Sequence, residues 1–429
     1  MLTRKRLRTY AMVIAATMWA TWAVDMSVSG HIDRLGKVKG TDFLHFYVVG
    51  SIAHEGRWEQ LFDMQAQQAR AQAVVPGSTD TLFIPVESPQ LALLFAPLAA
   101  QPYTIALAVW LVIAFAAYAG SCLLMWRDCP ALHPHRSIVA ASCAAFPGLY
   151  SEILHGQTAC LSLGAIALAL FALRRERRFA AGATLGFLVF KPHWVMAAAA
   201  VFVAATEWRV VWGIVLSALA QVAFTYVIVG APVMRAYTRV LREIPGMVRL
   251  LEPQPGDSLK GFFDVFAPYP PAGLLAYCIA AVVVLLIAAH VWRSDESIDV
   301  RLSGLVLAII LISPHVNAYD LMLVAPIAFM SANWLTLAAR DGRGNALSIW
   351  LCILLAAPLA GRLPAMIRLQ FSATAMVAML FLLFETSRTP APATSQDADV
   401  LTAARVRSSQ RLGRRRMARV QSAGPTTGR

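Results

Sequence analysis

Residues 103–126 read YTIALAVWLVIAFAAYAGSCLLMW, an uncharged apolar run that stops at Arg127-Asp128. A helix of that length rises roughly 36 Å, enough to cross the ~30 Å hydrocarbon core of a bilayer. A helix apolar on every face is either buried in a large core or crosses a membrane. The rest of the chain decides between these. Of 429 residues 58% are hydrophobic and only 14% charged, with a mean hydropathy of +0.60. Soluble domains carry about 25% charged residues. The chain is therefore a polytopic membrane protein.

Working outward from that run, further apolar runs fall at 9–28, 137–154, 157–173, 179–190, 193–206, 208–229, 271–292, 300–312, 318–335, 346–361 and 364–385. Several are shorter than the ~20 residues of a full crossing, so they must tilt, kink or continue into a polar end. A shorter run, 89–100, ends at Gln101-Pro102 and is expected to be interfacial or re-entrant. The run after Arg4-Lys5-Arg6 could be a cleaved signal peptide, but no small-x-small site follows and Asp25 interrupts it. An uncleaved first span is the preferred reading.

The net charge of +13 does not indicate nucleic acid, because the basic residues sit in short clusters between apolar runs and in the tail. Placed inside, alternate loops (Arg127 to Arg136, Arg174 to Arg178, Glu207 to Arg209, Arg293 to Arg301, Arg340 to Arg343) satisfy the positive-inside rule. The expected protein is an all-α bundle of about twelve crossings in the plasma membrane, with both termini cytoplasmic. Residues 1–385 form the membrane domain, with outer loops at 29–88 and 231–270, and 386–429 a disordered basic tail. Within the first loop, aromatic spacing predicts two short helices on the membrane surface, broken at Gly56 and at Pro76-Gly77. The six cysteines suit small core residues better than a disulfide framework.

This topology puts four polar signatures on one outward face: Thr41-Asp42-Phe43, His155-Gly156-Gln157, Lys191-Pro192-His193 and Ser313-Pro314-His315, the last continuing to Asn317, Tyr319 and Asp320. Ionisable groups at a membrane boundary are costly and mark function where they converge. Each also has a plainer reading. Thr41 or Asp42 could cap a helix, and Lys191 could snorkel at a helix end. The turns at 155–157 and 313–320 could be simple turns. No H-x-x-H or C-x-x-C spacing supports a metal, and Asp397-Ala398-Asp399 falls in the tail on the wrong side. Neither a metal nor a cofactor is expected.

The order of these signatures resembles the GT-C class of polytopic glycosyltransferases, and glycosyltransferase family 87 in particular. That resemblance rests on an early outer-loop Asp-Phe, a Pro-rich re-entrant stretch, Gly-Gln opening a span, Lys-Pro ending one, and Ser-Pro-x-x-x-x-Tyr-Asp. It covers roughly residues 40–330. Where family members commonly carry Tyr-Pro-Pro, this chain has Ile84-Pro85-Val86-Glu87-Ser88-Pro89. The resemblance implies a polyprenyl-phosphate sugar donor, with mannose the sugar of known members, and a lipid-linked or cell-envelope glycan acceptor. It implies a catalytic aspartate, which lands on Asp42, and phosphate-contacting groups, matched by Lys191 and His315. His155, Gln157, His193, Asn317 and Tyr319 are candidate substrate-binding residues.

The chemistry fits these residue types. A sugar phosphate already has a good leaving group, so the two carboxylates of a glycosidase are unnecessary. One base can deprotonate the acceptor hydroxyl while cations stabilise the departing phosphate. Direct displacement then inverts the anomeric centre. The alternative is a transporter or lipid-carrier flippase, which would place ionisable groups near the midplane of broken helices. Here the mid-span positions are almost free of charge.

Overall fold

The run that opened the reading is one helix in the computed structural model of the chain, Tyr103–Arg127. The structure describes residues 4–78, 84–251, 256–266, 270–337, 342–360 and 369–388. Among these residues every regular element is helical, apart from an isolated bridge between Ile32 and Val38. The helices used below are α1 (Arg4–Met26), α2 (Thr41–His54), α3 (Met64–Val74), α4 (Pro89–Ala99), α5 (Tyr103–Arg127), α6 (Arg136–Ala144), α7 (Pro147–His155), α8 (Ala159–Arg174), α9 (Arg178–Gly186), α10 (Pro192–Ala204), α11 (Trp208–Leu251), α12 (Leu259–Phe266), α13 (Pro270–Arg293) and α14 (Ile298–Ile312). Ala325–Leu337, Gly342–Ala356 and Phe371–Arg388 follow.

Seven helical stretches among the described residues are long and apolar enough to cross a membrane, against about twelve expected from the apolar runs. The difference lies in identifiable elements. Helix α1 has 23 residues but is less apolar than those seven. Helices α8, α9, α10 and α14 have 16, 9, 13 and 15 residues. At 1.5 Å per residue none of these four reaches ~30 Å unaided. Proline sets several of these short boundaries: Pro89, Pro147 and Pro192 each open a helix, where a missing N–H costs nothing.

Two expectations for the extramembrane segments change. Helix α2 does not lie on a surface, because nine of its 14 residues are buried. Its sequence is apolar on every side, so it requires a core rather than an interface. Helix α4 supplies part of that core: a Cβ on Gly50 of α2 would meet the Phe95 backbone at 2.8 Å. The breaks at Gly56 and Gly77 are present, at φ +70° and +94°. The segment read as a second outer loop, 231–270, is helical to Leu251 beyond a break at Gly230, and again in α12. Four cysteines are buried or half-buried, but Cys278 and Cys352 are exposed, and all six are free thiols. Asp397-Ala398-Asp399 and the rest of 389–429 lie outside the described residues.

A charged clasp closes one end of the bundle. Where α8 ends and α14 begins, Arg174 pairs with Asp299, and Asn333 donates to the same carboxylate while accepting from the Ala131 N–H at 3.0 Å. Arg175 reaches Asp128 at 3.2 Å. Just past α10, Glu207 takes Arg178 at 2.6 Å and the Trp292 indole N–H at 2.8 Å. Here each named arginine faces a carboxylate.

Candidate functional site

The other ends of α8, α10 and α14 carry three of the four polar signatures, and the start of α2 carries the fourth. Asp42 sits in the first turn of α2. The residue in the capping position is Gly40, in a left-handed conformation and with no side-chain cap, so Asp42 is not consumed as a cap. Its Oδ2 instead accepts from Gln157 Nε2 at 2.7 Å. Gln157 is held for that bond on two sides. Its Oε1 accepts from the Thr158 N–H at 3.2 Å, which fixes the amide orientation. The Trp110 indole N–H donates to the Gly156 and Gln157 carbonyls at 3.0 and 3.1 Å.

Gly156 permits the approach. It ends α7 at φ +67°, and a Cβ there would lie 2.7 Å from Phe43 Cβ. Only a residue without a side chain lets the start of α2 settle onto this turn. Phe43 then stacks into an aromatic group with Tyr47, Phe95 and Tyr103, at ring separations of 6.2, 6.0 and 5.6 Å. The Tyr103 hydroxyl donates to the Lys39 carbonyl at 2.6 Å, which anchors the chain entering α2.

Lys191 precedes α10, with Pro192 as the first helical residue. Its side chain is 14% exposed, so it does not snorkel. Its Nζ lies 3.4 Å from Asp320 Oδ1 and 5.5 Å from the Tyr319 ring centroid. The turn at 313–320 is tied internally: Asp320 Oδ2 accepts from the Asn317 N–H at 3.1 Å, and Asn317 Nδ2 donates to the Tyr319 hydroxyl at 2.8 Å and lies 3.3 Å from His315 Nε2. The His315 ring meets His193 edge-on at 6.1 Å, and His155 lies 6.2 Å from Tyr319. The Nε2 of His193 and the Nε1 of Trp194 are buried without a hydrogen-bond partner among the described residues.

The eight residues singled out in the sequence therefore form one connected cluster. One half is Asp42 with Gln157. The other is Lys191, His193, His315, Asn317 and Tyr319, and the His155–Tyr319 contact joins them. The cluster also contains carboxyls to which the sequence reading gave no role. Asp320 is the ion-pair partner of Lys191 and is 1% exposed. Glu152, fully buried, accepts from the Ala159 and Cys160 N–H groups at 3.2 and 3.0 Å and so caps α8 from outside that helix. Glu87 feels the charge of both Lys191 and Asp42. Burial pushes it up to about 7, with Asp42 adding to the shift and Lys191 opposing it. Behind the 313–320 turn, the Asp257 N–H donates to the Val316 carbonyl at 2.7 Å, and burial raises the Asp257 carboxyl to about 6 against its bond from Ser372. Local sequence signalled Glu152, one turn before His155, and the odd Ile84–Pro89 stretch signalled Glu87. Nothing local signalled Asp257.

Chemically, the cluster offers a carboxylate oriented by an amide, an ammonium group, and imidazoles at the edge of a largely apolar molecule. Among the described residues no three His, Cys, Asp or Glu side chains are grouped as a metal ion would need. The sequence profile of glycosyltransferase family 87 matches residues 87–314, more than half of the chain. The matched segment includes Glu87, Gln157 and Lys191, begins after Asp42 and ends just before His315. No curated protein and no solved structure matches the chain.

Proposed function

The chain belongs to glycosyltransferase family 87, and from that premise we propose that it moves a sugar, mannose in our reading, from a polyprenyl phosphate to a lipid-linked or cell-envelope glycan. Membership makes it a membrane glycosyltransferase with a sugar donor and an acceptor. The donor, the sugar and the residue roles are our inference from the cluster.

Asp42 acts as the general base. The single observation that carries this role is the 2.7 Å bond from Gln157 Nε2 to Asp42 Oδ2, which holds one carboxylate oxygen and leaves Oδ1 to accept the proton of the attacking hydroxyl. A base oriented by packing and hydrogen bonds loses little freedom at the moment of reaction. Attack from one face and departure of the phosphate from the other inverts the anomeric centre. The bond from the acceptor oxygen to C1 forms as the bond from C1 to the phosphate oxygen breaks, and the proton passes to Asp42. Charge accumulates on the departing phosphate, and Lys191 with His315 stabilises it. His155, His193, Asn317 and Tyr319 line the remaining polar wall. The Nε2 of His193, without a partner among the described residues, is a group that a substrate oxygen or hydroxyl would satisfy.

The lipid donor agrees with the location of the cluster. It sits at helix ends, beside the short apolar helix α4 and the exposed apolar faces of α5 and α11, where a polyprenyl chain can lie in lipid while its phosphate reaches polar groups. With the basic loops in the cytoplasm, this end faces outward across the plasma membrane. The test is transfer from a synthetic polyprenyl-phosphate mannose to envelope lipid acceptors by the purified protein in nanodiscs, with nucleotide sugars and other polyprenyl-phosphate sugars in parallel. Transfer from nucleotide sugar alone would refute the donor. Labelling of single cysteines at positions 42 and 191 in intact cells by an impermeant reagent tests the sidedness.

A further inference from the structure

Among the described residues, the cluster holds more carboxyls than its named ammonium balances. Fully ionised, Asp320, Glu152 and Glu87 place three negative charges around Lys191, and Asp42 adds its own beside Glu87. A donor phosphodiester would add another negative charge. Like charges brought together out of water are strongly unfavourable, and such sites respond by keeping a proton.

The geometry supplies a place for one. Glu87 Oε1 lies 3.8 Å from His45 Nδ1, with the two side chains 23% and 9% exposed. That is an ion-pair approach and too long for a hydrogen bond. On its far side, His45 Nε2 lies 3.0 Å from Gln67 Oε1. The amide of Gln67 cannot be reversed without loss, because its Nε2 donates to the Leu61 carbonyl at 2.6 Å. Its oxygen therefore faces His45, and Nε2 of the imidazole must carry a hydrogen. The neutral tautomer so fixed turns the lone pair of Nδ1 toward Glu87. A bare carboxylate facing that lone pair is repelled. One proton between them, on either the acid or the ring, makes the contact favourable and leaves the pair with no net charge.

We propose that the Glu87–His45 pair carries one proton in the donor-bound state and so offsets the charge that the donor phosphate brings to Lys191. This rests on the polyprenyl-phosphate donor proposed above. Glu87 is thus a positioning residue for charge and does not touch the reacting atoms. Among the described residues, the groups that face the pair include Asp42 on α2, Gln67 on α3, Lys191 before α10 with Glu152 and Asp320 behind it, and Tyr237 on α11, which feels Glu87. Burial holds His45 down to about 4 while raising Glu87 to about 7, so the pair takes its proton near neutrality. A site acid of this kind is charged above about 7, and donor binding must then take up a proton.

The test measures proton uptake directly. A short-chain isoprenyl phosphomannose diester is titrated into the full chain in nanodiscs by calorimetry, in buffers of different ionisation enthalpy. A diester does not titrate in this range, so the protein must supply any uptake. Wild-type protein should take up about one proton at pH 8, with Kd rising about tenfold per pH unit above 7. Glu87→Gln, which mimics the protonated acid, should bind with no uptake and a Kd that changes less than about twofold from pH 6.5 to 8.5. Binding by wild type without uptake, or uptake that persists in Glu87→Gln, would overturn the proton-carrying role and leave the donor assignment intact. No binding of the diester at any pH would overturn the donor assignment and this inference with it. The wild-type measurement is decisive by itself if the variant does not fold.

Discussion

The two ends of α8, α10 and α14 invite comparison, since both gather charge at the boundary of an apolar bundle. At the clasp, Arg174, Arg175 and Arg178 face Asp299, Asp128 and Glu207, and neutral donors from Asn333 and Trp292 complete the set. At the opposite end, several carboxyls surround Lys191, and His193 and Trp194 keep buried nitrogens with no partner among the described residues. Balanced charge with saturated hydrogen bonding is a way to hold helices together. An unbalanced, unsaturated group is stable only if something else completes it. Residue types alone do not distinguish the two ends, and it is the pairing that separates them.

The comparison can be broken most easily at Asp42. Asp42→Asn keeps the bond to Gln157 through its amide oxygen and removes the base. Sugar transfer should fall about 10²- to 10⁴-fold with little change in thermal stability, and a variant that retains wild-type turnover in the nanodisc assay would end the general-base assignment. The clasp should behave in the opposite way. Asp299→Ala leaves Arg174 with only its 3.9 Å approach to Asp128, which costs about 2 kcal/mol. The thermal midpoint in detergent should drop while the folded fraction transfers sugar at the wild-type rate; lost turnover with an unchanged midpoint would erase the distinction between the two ends. Lys191→Gln should raise the donor KM about tenfold, near 1.4 kcal/mol, and leave the acceptor KM alone. An effect confined to the acceptor would reassign the ammonium. The smallest change is expected from Tyr319→Phe, which deletes the hydroxyl that accepts from Asn317. About 1 kcal/mol of turn stability is at stake, read as a loss of a few-fold in kcat/KM that should be absent in the clasp variants.

Some of this is legible along the chain. The four signatures stand out because each is polar within an apolar chain, and positive-inside logic places them at one end. They do meet. What the sequence conceals are the partners. The side chain of Asp42 reads more readily as a helix cap than as a base, since a carboxylate at the start of a helix is a common cap. Gly40 in the capping position and the bond from Gln157, 115 residues away, remove the cap and leave the carboxylate available for the role proposed above. Lys191 reads as a snorkelling side chain until Asp320, 129 residues later, is seen beside it. Glu87 and Asp257 carry no local pattern that reveals their state, because what matters about them is burial, and burial depends on elements far off in the chain. Helix α2 departs from its expected place for a related reason: aromatic residues at helical spacing do not say whether the opposite face meets lipid headgroups or helix α4.

Read along its length, the chain reveals a helical membrane protein, where several of its helices break, and which few polar residues have to be explained. It could do so because apolar run length, proline and charge asymmetry act locally and directly on a chain in a bilayer. Folding sets which of those residues face one another, and so which charges are matched and, among the described residues, which are left in excess. Pairing energies act over a few ångströms in space, between groups that can lie more than a hundred positions apart, and no reading along the chain contains them.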